Sequence, residues 1–132
     1  MTEVNPQPEM NVYEFILENI DSVPHLEALV LLWNSRPVGW TPEELASRLY
    51  IPAEKVLNLL ADLVRLQLIA KSTGSPAKFS YHPSSKDQDE MMRLVDSAYR
   101  RDLVRISTMI HSKASPSVRE FARAFRIKKE RD

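Results

Sequence analysis

The sequence predicts a mainly α-helical chain that is interrupted by one two-stranded β hairpin. Two observations lead to this fold class. Apolar residues recur at spacings of three and four along most of the chain, which is typical of helices with one buried face. In residues 78–82 they alternate instead with polar residues, after a turn that contains Gly74 and Pro76. With 132 residues, 43% of them hydrophobic, the chain is long enough for one modest domain with extensions.

The N-terminal part is predicted to hold a short leader and two helices. Residues 1–9 are polar and contain two prolines, so we expect a flexible leader there. Residues 10–21 are predicted to form an amphipathic helix. Its apolar stripe consists of Tyr13, Ile16, Leu17 and Ile20. A second, more apolar helix is expected from Pro24 to about Asn34, because a proline and a glycine follow within residues 35–39.

Two shorter helices joined by a tight turn are predicted next. Thr41 can cap the first helix, Pro42 suits its first position, and Glu44 can complete a capping box. Residues 50–51 are expected to form the turn, and Pro52 to open a second helix that ends near residue 66. This second helix is expected to bury Val56, Leu57, Leu60, Leu63 and Val64. It is expected to expose Lys55, Asn58, Asp62 and Arg65.

The hairpin follows the helix pair. Its predicted strands span residues 68–72 and 78–82, and its turn is Thr73-Gly74-Ser75-Pro76. Phe79 and Tyr81 alternate with polar residues, so we expect both aromatic rings to face the core. The lysines expected to project into solvent are Lys71 and Lys78. Aromatic residues interleaved with lysines also suit the stacking of nucleic-acid bases, which is the alternative interpretation.

The apolar pattern over about residues 23–83 resembles that of bacterial winged helix-turn-helix transcriptional regulators. The residues that carry the resemblance are Glu44, Leu45, Ala46, Leu49, Ile51, Val56, Leu60, Leu63, Leu68 and Ile69. Tyr50 and Gln67 stand where these proteins often have a small turn residue and a glycine. The resemblance implies a winged helix-turn-helix with a two-stranded β wing, to which the apolar patterns outside it add an N-terminal helix and a long C-terminal helix. It also implies that residues 52–66 lie in a major groove of DNA while the wing contacts the backbone or the minor groove.

Five residues become candidates for DNA binding under this resemblance. They are Lys55, Asn58, Arg65, Lys71 and Lys78. Lys55 can contact a phosphate or a guanine edge, Asn58 can pair with an adenine edge, and the other three can hold phosphates. Glu54 and Asp62 lie near the same surface and leave the helix formally neutral, so a solvated helix face is the alternative.

The zero net charge conceals an uneven distribution of charge. Residues 1–62 contain three basic and ten acidic residues, whereas residues 63–132 contain fifteen basic and eight acidic ones. A basic half of this kind suits an anionic partner such as nucleic acid or lipid head groups. The alternative is that the two halves neutralise each other within one fold or across a dimer.

A long helix is predicted over residues 84–113. Its apolar stripe consists of Met92, Val95, Tyr99, Leu103, Ile106 and Ile110, widened by Met91, Ala98 and Met109. At about 1.5 Å per residue the helix extends roughly 40 Å, which is longer than a small winged domain easily shields. We therefore predict a homodimer that is formed through the six residues of the stripe. The alternative is that this helix folds back on residues 10–21 within one chain.

Residues 114–132 are predicted to form a basic amphipathic C-terminal helix or tail. Ser115 and Pro116 open it, and its apolar face consists of Val118, Phe121, Ala122 and Phe125. The surrounding cations are Arg119, Arg123, Arg126, Lys128, Lys129 and Arg131. Such a segment can pack on its own dimer, or bind a partner protein, an anionic membrane surface or nucleic-acid phosphates over residues 115–131.

Enzymatic and metal-dependent functions have little support in the sequence. There is no cysteine, so disulfides, thiol nucleophiles and thiolate metal sites are excluded and a cytoplasmic location is expected. His25, His82 and His111 lie far apart, and no paired ligand spacing is present, so we expect no metal and no cofactor. The longest apolar run is far shorter than the roughly 20 residues that cross a bilayer, and the N-terminus lacks a signal-peptide pattern.

The combined interpretation is a cytoplasmic bacterial protein that binds double-stranded DNA and regulates transcription as a homodimer. We expect it not to be an enzyme. The alternative is a winged-helix module for protein interaction or assembly that does not bind DNA, because folds of this kind host both functions.

Overall fold

The computed structural model describes residues 8–113, with side chains from Val12 onward. In chain order its elements are α1 (Pro8–Asn19), α2 (Val23–Asn34), α3 (Pro42–Leu49), α4 (Ala53–Arg65), β1 (Ile69–Lys71), β2 (Phe79–Tyr81) and α5 (Lys86–Ser112). This order confirms the predicted winged helix-turn-helix fold with a two-stranded wing, an N-terminal helix and a long C-terminal helix. The basic tail and most of the predicted leader lie outside the described residues.

The helix-turn-helix forms where local capping interactions predict it. The Glu44 backbone amide donates to the Thr41 hydroxyl oxygen at 3.1 Å, and the Thr41 amide donates to the Glu44 carboxylate at 2.9 Å. This is the predicted capping box, which satisfies two amides that have no partner within the helix. Pro52 differs from the prediction by one position: it is the extended residue that precedes α4, and the helix itself begins at Ala53.

The buried face of α4 differs from the predicted one. Leu57 is 54% exposed and Val64 is 36% exposed, although both were expected in the core. Leu59 is buried instead. Each residue of a helix is rotated by about 100° from the previous one, so a face centred on Leu59, Leu60 and Leu63 turns Leu57 towards solvent. Packing on α2 therefore selects this face from two that the sequence allows.

Two turns of the fold use the left-handed backbone conformation. Tyr50 ends α3 with φ 60°, and Gln67 follows α4 with φ 62°. These are the two positions where the sequence differs from the small residues of the resembling family. A side chain with a Cβ atom is disfavoured in this conformation, whereas glycine adopts it freely. Both turns are therefore formed at a cost in backbone energy.

Backbone hydrogen bonds and contacts of aromatic rings attach the wing to the helical part of the chain. β1 and β2 are antiparallel, with Ile69 opposite Tyr81. Trp40 extends this sheet, because its amide and carbonyl groups each pair with Phe79 at 2.8 Å. Phe79 and Tyr81 are buried, which confirms their predicted place in the core. The Tyr81 ring meets the Trp33 ring edge-on with centroids 5.0 Å apart.

The long helix α5 is covered by its own chain over most of its apolar stripe, and it packs against α1 and α2. Four of the six residues predicted for a dimer interface are buried in the isolated chain, namely Met92, Val95, Ile106 and Ile110. Tyr99 is half-buried, and Leu103 is 41% exposed. The premise that this stripe needs a second copy as its cover is thus wrong, because α1 lies against it.

The path of α5 is interrupted once. Asp102 has φ −134° and ψ 40°, so α5 consists of two helical segments that meet there. The Tyr13 hydroxyl of α1 donates to the Asp102 carboxylate at 2.7 Å, next to this break. At the end of α5, the Lys113 ammonium donates to the carbonyl oxygens of Leu17 and Ile20 at 2.7 and 2.5 Å. Both contacts hold α5 on α1.

Among the described residues, none of the helices has the length and apolar character needed to span a bilayer.

The energetic cost of the left-handed backbone conformation can be measured at Gln67, in the turn after α4. Replacement of Gln67 by glycine is expected to raise the free energy of unfolding by about 0.5–1 kcal/mol, because the left-handed conformation loses its Cβ penalty. Urea denaturation monitored by circular dichroism measures the change. Gln67→Ala is the control, since it removes the side chain but keeps Cβ, and it should give no increase. An equal stabilisation by both variants would contradict the explanation.

Substitution of Gly39 and of Gly74 gives a matched test of how tightly the chain packs at the wing. A Cβ atom on Gly39 would lie 3.0 Å from the Lys78 Cβ, whereas one on Gly74 would have its nearest neighbour at 4.0 Å. Gly39→Ala is therefore expected to lower the free energy of unfolding by about 1 kcal/mol through overpacking. Gly74→Ala should change it little. Thermal unfolding of both variants checks the difference, and equal melting temperatures would refute it.

Candidate nucleic-acid interface

The exposed face of α4 lies opposite its contact with α2. Its central residues are Glu54, Asn58, Ala61 and Arg65, all of them exposed and spaced so that they share one side of the helix. Leu57 lies beside them. Lys55 is exposed as predicted, but it lies towards the edge of this face, nearer to Asp62 in rotation about the axis. The face therefore combines one amide, one guanidinium group, one carboxylate and apolar groups.

The negatively charged carboxylate of Asp62 has a hydrogen-bond partner on each of its two oxygens. His25 Nε2 lies 2.8 Å from Asp62 Oδ2, and the Arg65 guanidinium contacts Oδ1 of the same carboxylate. The hydrogen bond with His25 is the main cause that lowers the pKa of Asp62, with Arg65 adding to it against the effect of burial. One candidate phosphate ligand, Arg65, is thus engaged with Asp62 in this structure.

The wing carries a lysine on each of its faces. Lys71 is the β-sheet partner of Phe79, and residues directly opposite each other in a sheet share a face. Lys78 precedes Phe79, so the pleat places it on the other face. Both lysines are exposed, as predicted. The hairpin end is held by Ser72, whose amide donates to the Lys78 carbonyl at 2.8 Å and whose hydroxyl accepts from the Lys78 amide at 2.9 Å.

Arg48 is a further cation that the sequence-based prediction missed. It is exposed in the last turn of α3, and it lines an open cleft of about 690 Å³ together with Trp40, Tyr50 and Lys78. Tyr50 is 92% exposed at the tip of the turn between the two helices. A sequence signal existed, since Arg48 falls outside the apolar edge formed by Leu45 and Leu49. The proximity to Lys78 of the wing depends on the tertiary fold.

Ion pairs connect the two oppositely charged halves of the chain. Among the described residues, contacts across the division at residue 62 include Asp62 with Arg65 and Asp21 with Lys113, whose charged atoms lie 4.0 Å apart. The pairs of Arg93 with Glu90 and Arg100 with Asp96 lie within the basic half. The cations around the cleft and the wing add positive charge beside a nearly neutral α4 face. This arrangement suits a polyanion that contacts the wing and α4 together.

This chain is similar to known proteins in its three-dimensional structure. No protein-family model matches the sequence, and no curated protein matches it either. Among solved structures, the chain is similar to MepR, a transcription regulator of the Staphylococcus aureus multidrug efflux pump MepA, with a TM-score of 0.54 and 16% identity. The alignment covers 92% of this chain and 87% of MepR. A MepR variant bound to an oligodeoxyribonucleotide also gives a TM-score of 0.54 and 16% identity, with coverages of 92% and 86%.

A third similar structure is the transcriptional regulator Tm0710 from Thermotoga maritima. Its TM-score is 0.52 at 11% identity, and the alignment covers 94% of this chain and 87% of Tm0710. At identities this low, similarity establishes a shared fold, whereas function depends on the residues of the site. The chain therefore has the winged-helix fold of bacterial transcription regulators, which confirms the resemblance predicted from its sequence.

Proposed function

We propose that this protein is a DNA-binding transcriptional regulator. The observation that carries the proposal is the group of exposed cations beside α4, with Lys71 and Lys78 on opposite faces of the wing and Arg48 lining one cleft with Lys78. A hairpin with a cation on each face can contact phosphates on both sides of a groove. The shared fold supports this proposal, since a MepR variant has been solved with an oligodeoxyribonucleotide.

The proposed contacts divide by the chemistry of each side chain. Asn58 lies at the centre of the α4 face and is suited to a bidentate contact with adenine, while Lys55 at its edge suits a phosphate or a guanine. Arg65, Lys71 and Lys78 are assigned to phosphates. Arg48 joins them, because the first helix of such a pair crosses the DNA backbone. Phosphate contacts dominate this set, so moderate sequence specificity is expected from one copy.

A homodimer remains part of the proposal, with a smaller interface on α5 than the sequence predicted. Leu103 is 41% exposed and Val104 is 80% exposed, and both follow the break at Asp102. Two copies would present two α4 faces to two half-sites and add their modest affinities. We also propose that the protein is bacterial, lacks enzymatic activity and acts in the cytoplasm, where the DNA of a bacterium lies.

The alternative function is that of a protein-interaction module. The exposure of Leu57 and Val64 on α4, together with Tyr50 at the turn, supports it, since apolar and aromatic groups are common at the centres of protein interfaces. The basic segment 115–131, outside the described residues, is a second proposed contact for a protein or an anionic surface. DNA is preferred as the partner because the exposed cations Arg48 and Lys78 share a cleft with Tyr50.

The DNA proposal is tested by fluorescence anisotropy with labelled duplexes at several salt concentrations. Affinity is expected to fall steeply as salt rises, because bound phosphates release counterions. Lys71→Ala and Lys78→Ala should each weaken binding and reduce the slope of log affinity against log salt by about 1. Arg101→Ala is the control, since Arg101 is an exposed cation on α5, and its slope should equal that of the unchanged protein. Absence of binding to random and promoter-region duplexes at low salt would overturn the proposal.

The dimer proposal is tested by light scattering on the full chain at micromolar concentration. The expected mass is twice the chain mass of 15.2 kDa. The double variant Leu103→Glu, Val104→Glu should give the mass of one chain, because it places two charges in the proposed apolar contact. Val38→Glu serves as the control. Val38 is an exposed apolar residue too, at 54%, but it lies near the wing and away from α5. A monomer mass for the unchanged protein would refute the dimer.

A further inference from the structure

Three side chains that can bind a metal ion converge at the edge of α4. Asp21 lies between α1 and α2, His25 lies in the first turn of α2, and Asp62 belongs to α4. One ligand atom of each lies within 4.8 Å of the others. In tetrahedral coordination with bonds of about 2.1 Å, two ligand atoms of the same zinc ion are about 3.4 Å apart. Side-chain movements of about 1 Å, mainly of the exposed Asp21, would bring all three onto one ion with this geometry.

The orientation of His25 suits a ligand. Its Nδ1 lies 2.6 Å from the Ser22 hydroxyl oxygen, which can accept the Nδ1 hydrogen. Without a metal, Nε2 donates to Asp62 at 2.8 Å. On metal binding, Nε2 would exchange this hydrogen for the ion, and the remaining ring hydrogen on Nδ1 would face Ser22. Metal-binding histidines commonly have such a partner on the second ring nitrogen, because it sets both the tautomer and the ring orientation. Ser22 also caps α2 through the His25 amide, so the backbone holds this position.

The cluster is open on one side and closed on the other. The side chain of His25 is 14% exposed and that of Asp62 is 31% exposed, whereas that of Asp21 is 72% exposed. An ion can therefore enter from the Asp21 side, and water can complete its coordination. Two cations border the carboxylates. The Lys113 ammonium lies 4.0 Å from Asp21, and Arg65 contacts the Asp62 oxygen that faces away from His25.

We propose that Asp21, His25 and Asp62 bind a divalent transition-metal ion such as Zn²⁺. One imidazole and two carboxylates suit zinc, whereas magnesium prefers a site made of oxygen ligands alone. Repulsion from the Lys113 ammonium, 4.0 Å from Asp21, limits the affinity. The sequence-based expectation of no metal rested on histidine spacing. It missed this set because the fold brings Asp62 to His25 across 37 residues.

The proposed ion would also act on the DNA interface, and this second step rests on the proposed function. Asp62 is shared between the metal cluster and Arg65. An ion on Oδ2 withdraws charge from Oδ1 and weakens the attraction for Arg65. Arg65 then becomes available to a phosphate, and the negative charge near the α4 face is neutralised. We therefore expect metal binding to raise DNA affinity by about fivefold, at the low end of ordinary coupling between two sites.

Isothermal titration calorimetry of the untagged, chelator-treated full chain with ZnCl₂ tests the site. One zinc ion per chain is expected, with much weaker binding of MgCl₂. His25→Ala should weaken zinc binding by about tenfold or more, and Asp21→Asn should weaken it several-fold. Asp21 is exposed, so this second variant tests the site without risk to the fold. His82→Ala is the matched control, since His82 is an exposed histidine at the end of the wing.

Binding with one-site stoichiometry that is lost in the two cluster variants and kept in His82→Ala supports the site. Absence of zinc binding by the unchanged protein would overturn it. Unchanged binding by Asp21→Asn and His25→Ala would overturn it as well. An equal loss in His82→Ala would show adventitious binding by surface histidines and would also refute the proposal.

Fluorescence anisotropy with labelled DNA, with and without zinc, tests the coupling between zinc binding and DNA binding. Asp62→Asn removes a metal ligand and also frees Arg65, so its DNA affinity without zinc should approach that of the zinc-loaded protein. His25→Ala removes a ligand but keeps Asp62 beside Arg65, so its affinity should stay at or below the zinc-free level. Neither variant should respond to zinc. A protein that binds zinc and DNA independently would refute the coupling alone, whereas one that binds zinc but no DNA would refute the proposed function and leave the site intact.

Discussion

Burial of α2 is the constraint on which the rest of the structure depends. Its buried residues are Leu26, Ala28, Leu29, Val30, Leu32 and Trp33. These apolar groups extend around the helix instead of forming one stripe, so several elements must pack against it. Those elements are α3, α4, α5 and β2. Each of them directs one side towards α2, and the position of the exposed α4 face beside the wing is a consequence of this common support.

The Asp62 carboxylate connects the edge of α4 to the buried helix α2. Asp62 contacts His25 of α2 on one oxygen and Arg65 on the other. A buried apolar contact sets the distance between the two helices, and the histidine then compensates a charge that would otherwise repel phosphate. Because the carboxylate is shared, a change on the α2 side alters the charge presented by α4. The candidate interface is therefore defined by α2 as much as by the residues of α4.

Local interactions account for the features that the sequence predicted correctly. The Thr41 and Glu44 capping box lies within one helical turn, so the identity of four consecutive residues is sufficient to indicate it. Alternation along β2 places Phe79 and Tyr81 in the core for the same reason, since the pleat has a period of two. Tyr50 and Gln67 occupy left-handed turns despite their side chains, which residue type alone does not predict.

The sequence by itself determined the order of elements, their main caps and the aromatic anchor of the wing, all of which depend on neighbouring residues. Tertiary structure decided whether Leu57 or Leu59 is buried, because spacings of three and four fit two adjacent helix faces and the contact with α2 selects one. It also decided that α1 covers the stripe of α5, since an apolar surface does not encode the identity of its cover. The juxtaposition of His25 with Asp62, and of Arg48 with Lys78, likewise required the fold, because side chains far apart in sequence meet only when the core has formed.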